Sequence, residues 1–406
     1  MHTEASLITR GTPAFRRTNL ALFAAGFSTF ALLYCVQPLM PLFSAEFGLG
    51  AAASSLSLSV TTGLLAVAML VASSLSEALG RKPVMVASLL ASAALTIAAA
   101  FVPGWHGLLL VRTLEGVALS GLPAVAMAYV GEEMEKGSIG LAMGLYIGGS
   151  AVGGMGGRLI SGILADFFSW RVAIGALGLV CLLAALAFWK SLPPSRNFRP
   201  RPLALGNLLA RFVEHCRDEG LPWLFLEGFL LMGSFVTLYN YVGYRLLAPP
   251  YELGQTAVGS IFAVYLIGIF SSAWVGNLAS RLGRRRVLWA VILLQLAGLG
   301  LTLATPLPLV IAGIAVFTFG FFGAHSIVSS WVGLRALEGK AQASSLYLFF
   351  YYLGSSLVGS AGGLFWTAFG WPGLAALLAA LLATALLVAF RLAALAPLPQ
   401  NRPKTT

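Results

Sequence analysis

Charge is what this sequence lacks. Only 10% of its 406 residues are Asp, Glu, Lys or Arg, whereas an ordinary soluble protein carries about 25%. So few polar side chains cannot cover the surface of a water-soluble globule. Disorder is excluded by the opposite excess, since 58% of residues are hydrophobic and the mean hydropathy is +0.88. Cysteine is nearly absent as well. Cys35, Cys181 and Cys216 contain no CxxC pair, which excludes a disulfide scaffold and a cysteine-based zinc site. There is no Walker-type phosphate loop and no HExxH segment, so ATP-driven transport and zinc proteolysis lack their sequence basis. With no soluble domain to carry chemistry, no enzyme activity, cofactor or metal is expected.

Long apolar stretches fill the chain instead. They cover residues 20–43, 56–78, 84–102, 108–130, 139–164 and 172–189, then 221–244, 257–278, 287–304, 309–332, 344–367 and 372–392. A spanning helix needs about 20 apolar residues, so twelve of them use about 240 and leave short loops. Barrel strands would alternate apolar and polar residues, and these runs do not. Helices satisfy their own backbone hydrogen bonds in lipid. The first stretch exceeds the apolar region of a cleaved signal peptide. The expected fold is an all-α integral membrane protein with twelve transmembrane helices in two pseudo-symmetric six-helix bundles, lying in the lipid bilayer as a monomer.

The formal charge of +11 would suggest nucleic acid in a soluble chain. Here its placement decides otherwise. With the first residue inside and loops alternating, the inside receives all the Lys and Arg except Arg171 and Arg245 outside and Arg112 and Arg158 within spans. Positive-inside asymmetry of this kind sets both termini in the cytoplasm and leaves no role for nucleic acid.

The halves repeat. Gly80-Arg81-Lys82 matches Gly283-Arg284-Arg285, 203 residues on, and Tyr146-Ile147-Gly148 matches Tyr352-Leu353-Gly354. Near-constant offsets indicate duplicated halves. The expected units are residues 1–189, a cytoplasmic linker at 190–220 with a short surface helix at 203–213, and residues 221–406.

The hairpin Glu77-Ala78-Leu79-Gly80-Arg81-Lys82 and its partner Gly276 to Arg285 resemble the G-x-L-A-D-R-x-G-R-K loop of the major facilitator superfamily. The first copy has Glu77 for the aspartate; the second has Ser280 for the acid. The resemblance implies a conformational latch of Glu77, Gly80, Arg81, Lys82, Gly283, Arg284 and Arg285. In it the acid faces the start of the eleventh span, and Arg81 pairs with an acid ending the fourth: Glu132, Glu133 or Glu135. Plain retention of the loop inside is the simpler reading.

Arg112-Thr113-Leu114-Glu115-Gly116 resembles the R-x-x-Q-G motif of the same family's fourth span. Residues three apart share a helix face, so Arg112 and Glu115 form either a structural pair or, with Glu115 foremost, a proton-coupling site. Glu227 and His325 are further proton-coupling candidates, with Asp166 in reserve. Gly149, Gly153, Gly156 and Gly157 suit close helix packing. Their run keeps the glycine spacing of the drug:proton antiporters' GPxxGG pattern but lacks its proline. Arg158 after them is a cavity cation or a residue snorkelling to the surface. Gln37 and Asn240 are repeat-related. With Tyr34, Tyr239 and Tyr352 they are candidates for the substrate cavity, the alternative being an interhelical hydrogen bond.

The strings Tyr34-Cys35-Val36-Gln37-Pro38-Leu39, Ser55-Leu56-Ser57-Leu58-Ser59-Val60-Thr61-Thr62 and Tyr239-Asn240-Tyr241, with the run Gly153-Gly154-Met155-Gly156-Gly157-Arg158, are similar to the YnfM-like, acriflavine-sensitivity branch of the bacterial drug:proton antiporters. That resemblance implies a proton-coupled secondary transporter of the bacterial inner membrane, exporting a small organic or drug-like compound by alternating access. Its partners are then a small-molecule substrate and protons. Proton-coupled import of a small metabolite such as a sugar or organic acid is the alternative. An intramembrane enzyme would need a nucleophile or metal cluster, and His325 alone does not supply one.

Overall fold

The computed structural model describes residues 7–198 and 205–395. Both chain ends lie outside this range, as do Arg199, Arg201, Arg402 and Lys404, which the charge argument placed inside. Among the described residues the chain is helical between short connections, with one isolated bridge between Ile8 and Met134.

The first pass is α1 (Pro13–Tyr34), a 3-10 turn (Gln37–Leu39) and α2 (Met40–Phe47). The break falls at Pro38, where the backbone donor is missing. The next two passes are α3 (Ala51–Leu79) and α4 (Arg81–Ala99). The fourth is split before Pro123 into α5 (Trp105–Leu119) and α6 (Pro123–Glu133). α7 (Lys136–Phe167) and α8 (Trp170–Ser191) complete the first half. After the linker helix α9 (Leu205–Cys216) come α10 (Leu221–Leu247), then α11 (Gln255–Ile261) continuing through a 3-10 turn into α12 (Tyr265–Leu282). α13 (Arg284–Leu301), α14 (Leu307–Arg335) and α15 (Lys340–Ala394) follow.

Among the described residues nine helices are long and apolar enough to cross a membrane, and they reconcile with twelve passes. α15 holds two passes, turned at Gly370 (φ 62, ψ −152) where a loop was expected. The fourth pass is divided into two short helices, and α13 opens on three arginines. The linker helix is described from Leu205 and extends to Cys216, beyond the expected end at 213; residues 203 and 204 of the expected helix lie outside the described range.

Glycines set the packing of pass one on pass five. A Cβ on Gly149, Gly153 or Gly157 would stand 2.2, 2.1 and 2.6 Å from the backbone of Phe23, Phe27 and Ala31. Gly156 is less confined, meeting only the Phe27 ring at 3.3 Å. The second half repeats the arrangement, with Gly354 of pass eleven 2.2 Å from the Phe229 carbonyl of pass seven by the same construction. Gly153→Leu should therefore destabilise the fold by roughly 3 kcal/mol or more, at the upper end of overpacking costs. Gly148→Leu, where a Cβ meets open space, should be near neutral. Thermal midpoints of the two purified variants check this.

Alternating helix directions gather the hairpins at Gly80 and Gly283, residues 132–136, the linker ends and Arg335 at one basic end of the bundle. Hydrogen bonds joining the halves, among the described residues, lie toward the other end or at mid-depth: Ser44 with Tyr244 (2.7 Å), Asp166 with Thr256 (2.7 Å), Gln37 with Asn240 (2.6 Å), and Ser356 to the Ser59 carbonyl (2.7 Å). The end opposite the basic hairpins is closed.

Candidate transport site

Two arginines are buried in the bundle, each about 1% exposed, and their surroundings differ. Arg112 is fully compensated. It pairs with Glu115 at 2.8 Å and donates to the carbonyls of Ser57 (2.9 Å), Leu32 (3.1 Å) and Leu33 (2.8 Å). Glu115 also accepts from Thr96 at 2.8 Å. All these partners belong to passes one to four, so the pair sits inside the first bundle and not between the halves.

Among the described residues Arg158 on pass five has no such counter-ion. Its Nε donates to Gln37 Oε1 at 2.6 Å and its Nη1 to the Gly154 carbonyl, both neutral acceptors. Its charge lies over the rings of Tyr34 (4.1 Å), Tyr265 (4.6 Å) and Phe262 (5.2 Å). Gln37 relays the contact across the halves, its Nε2 donating to Asn240 Oδ1. Among the described residues Asn240 Nδ2 and Ser59 Oγ are buried without a partner. Gly359 packs close to both: a Cβ there would be 3.2 and 3.5 Å from these two atoms. The repeat-related Gln37 and Asn240 thus meet each other, and Arg158 lies at mid-depth rather than near the surface.

An aromatic wall leads from this cage toward the basic end. Tyr265 packs on Phe322 (5.7 Å), Phe322 on Phe321 (5.2 Å), and Phe321 on His325 (6.0 Å). His325 lies 4.9 Å from the Tyr351 ring, and Tyr351 meets Tyr352 at 5.2 Å. Tyr239 stacks on Phe262 (5.2 Å) and bonds Thr318 (2.7 Å), which sets it within the second bundle beside the cage. Beyond His325, Nδ1 meets the Tyr347 hydroxyl at 2.8 Å. The Tyr347 ring packs on Gly228, next to Glu227. Glu227 is fully buried, and among the described residues neither carboxyl oxygen has a hydrogen-bond partner.

At the basic end Arg81 pairs with Glu132 (2.7 Å) and donates to Ser76 (2.6 Å). Lys82 caps the Leu192 carbonyl at 2.5 Å, and Arg285 does the same for the Ala393 carbonyl at 3.2 Å. These are repeat-related cations on the last carbonyls of passes six and twelve, where the helix dipole favours them. Arg284 meets Ser330 at 3.4 Å. Gly80 (φ 99) and Gly283 (φ 92) hold backbone angles that other residues rarely adopt. Glu77 makes no hydrogen bond or ion pair among the described residues. The linker is tied to both halves: Asn197 bonds Glu133, while Asp218 pairs with Arg335 and accepts from the N–H groups of Gly220 and Leu221. Burial pushes the Asp218 carboxyl up, but these donors outweigh it and hold its pKa below the ordinary value.

Sequence reasoning passed over Tyr265, Phe262 and Ser59. Their signal is weak, because nothing about an apolar span with an aromatic singles out the ring that covers an arginine.

The family model of the Major Facilitator Superfamily matches residues 22–357. The chain is 52% identical over 385 residues to the inner membrane transport protein YnfM of Escherichia coli (strain K12), covering 95% of this chain and 92% of that protein. It is 29% identical over 388 residues to the multi-drug resistance efflux pump PmrA of Streptococcus pneumoniae (strain ATCC BAA-255 / R6), covering 90% and 91%. The crystal structure of a bacterial homolog of the human lysosomal transporter Spinster, inward-facing and occupied, matches with TM-score 0.76 over 94% of this chain and 97% of that one. At 15% identity that likeness is one of fold.

Proposed function

The chain belongs to the Major Facilitator Superfamily and is a multi-pass secondary transporter, and on that premise we propose that it exports a small organic compound across the bacterial inner membrane by proton antiport. The observation carrying the mechanism is a pair of buried groups with unmet electrostatic needs on one aromatic path: Arg158 between the halves and Glu227 in the second bundle. The similarity to YnfM supports the inner membrane, and that to PmrA supports export. The basic end is then cytoplasmic by the positive-inside rule, and the conformation is closed to the outside.

Proton coupling is assigned to Glu227 ahead of Glu115. Glu115 is held by Arg112 and Thr96 inside one bundle, so rocking of the halves leaves its surroundings unchanged. Among the described residues Glu227 has no ion-pair partner and no hydrogen-bond donor to offset desolvation of its charged form. Ionising it requires water or a donor to reach it, and opening of the cavity supplies that. A carboxyl whose proton affinity depends on conformation couples the two, because a ligand shifts an equilibrium by its differential affinity. Tyr347 and His325 connect it to the substrate path.

The experiment is proton flux in inverted membrane vesicles with an acid interior. Addition of a transported compound should dissipate the gradient in vesicles carrying the protein and not in vesicles lacking it. A panel of toxic organic compounds that leaves the gradient untouched in both would contradict antiport.

The hairpins act as the latch between conformations. Arg81–Glu132 is partly exposed, 31% at the glutamate, and such pairs contribute about 1 kcal/mol or less to stability. Arg81→Ala should leave insertion and thermal midpoint nearly unchanged yet lower transport by about tenfold, equivalent to roughly 1.4 kcal/mol on the conformational barrier. Wild-type transport by this variant would remove the latch role.

A further inference from the structure

From the Arg158 cage we infer that the transported compound carries a carboxylate on a flat aromatic body, with Arg158 as its anion-binding residue. This rests on the transport reading above and names the substrate class for it.

Withdrawing a guanidinium from water is expensive, and a neighbouring carboxylate with good hydrogen bonds is what offsets the cost. Arg112 has Glu115 and three carbonyls. Arg158, equally buried, has an amide oxygen, one carbonyl and three aromatic faces. Among the described residues no acid forms an ion pair with it. Its missing partner is an anion, and it lies where the two halves meet.

The neighbouring groups fit the same ligand. Gln37 Oε1, 2.6 Å from Arg158 Nε, stands where one carboxylate oxygen would be bound. Its exchange for a substrate carboxylate turns a neutral acceptor into a charged one and allows the two-pronged geometry that arginine offers. The same exchange frees Gln37 from Asn240, a bond that joins the halves. Binding of the anion is thereby tied to release of a closing contact. Tyr34, Tyr265 and Phe262 offer ring faces to a flat apolar body. Asn240 Nδ2 and Ser59 Oγ, unpartnered among the described residues and both close to Gly359, can meet a second polar group.

The test is thermal unfolding of the purified full-length protein with benzoate and phenylacetate, against benzamide, phenylacetamide and benzylamine at equal concentration. A ligand bound only by the folded state raises the midpoint by mass action. The two carboxylates should raise it in wild type while the amides and the amine do not. Arg158→Gln should abolish the rise, and Arg158→Lys should retain part of it, keeping the charge without the fork. Size-exclusion profiles confirm that both variants are folded. No rise with either carboxylate in wild type, or an equal rise in Arg158→Gln, overturns the inference. Failure of the antiport reading looks different: the vesicle gradient stays intact for every compound, whatever the melting experiment gives.

Discussion

Glu227→Gln is expected to abolish accumulation against a gradient while leaving downhill exchange intact. The variant keeps the shape of the side chain and removes its titration. In the observed conformation neither carboxyl oxygen has a hydrogen-bond partner among the described residues, so the amide loses no contact to them. The protein should fold, bind substrate and equilibrate it across proteoliposomes. Uphill transport driven by a pH gradient should fall to background, a loss of about a hundredfold or more, or roughly 2.7 kcal/mol of coupling. Substrate accumulation and proton flux measured together read this out. Glu115→Gln is the matched comparison and should retain accumulation. The reverse pattern would return the proton to Glu115.

Removal of Arg112 should damage the fold rather than the coupling. Arg112→Ala leaves Glu115 buried in the first bundle with Thr96 as its remaining partner, and breaking such a pair costs about 3–5 kcal/mol. The thermal midpoint in detergent should drop sharply, with loss of monodisperse protein. Replacing both residues, Arg112→Met with Glu115→Met, should recover much of that stability because no unpaired charge is left behind. If Arg112→Ala proves as stable as wild type, the pair is not the structural element described here.

Much of the architecture is legible before any coordinates. Twelve apolar runs, their basic loops and the offset between Gly80 and Gly283 carry the fold, because membrane burial and backbone satisfaction dictate them one segment at a time. The repeat even anticipates paired functions: Lys82 and Arg285 cap equivalent helices at Leu192 and Ala393. The turn at Gly370 is less legible, since one residue at positive φ does the work of an expected loop.

The site is only partly legible for a different reason. Sequence spacing places Arg112 and Glu115 on one face and so finds their pair. It also ranks Glu115 above Glu227, because a partner three residues away is visible and the lack of one is not. What distinguishes Glu227 and Arg158 is the company they do not keep, and that depends on passes far away in the chain. Tyr265 and Phe262 belong to the second half, yet they cover an arginine of the first.

The central claim is that protonation of Glu227 sets the balance between the two openings of the transporter. Spin labels at residues 106 and 305 report the end closed here, and labels at residues 136 and 337 report the basic end. Distance distributions from both pairs, measured by electron resonance in nanodiscs as pH is lowered, test it directly. The account predicts that the two distances change in opposite senses in wild type and that Glu227→Gln holds both fixed across the same range. Distances that ignore pH in wild type, or that respond to it unchanged in Glu227→Gln, would contradict it.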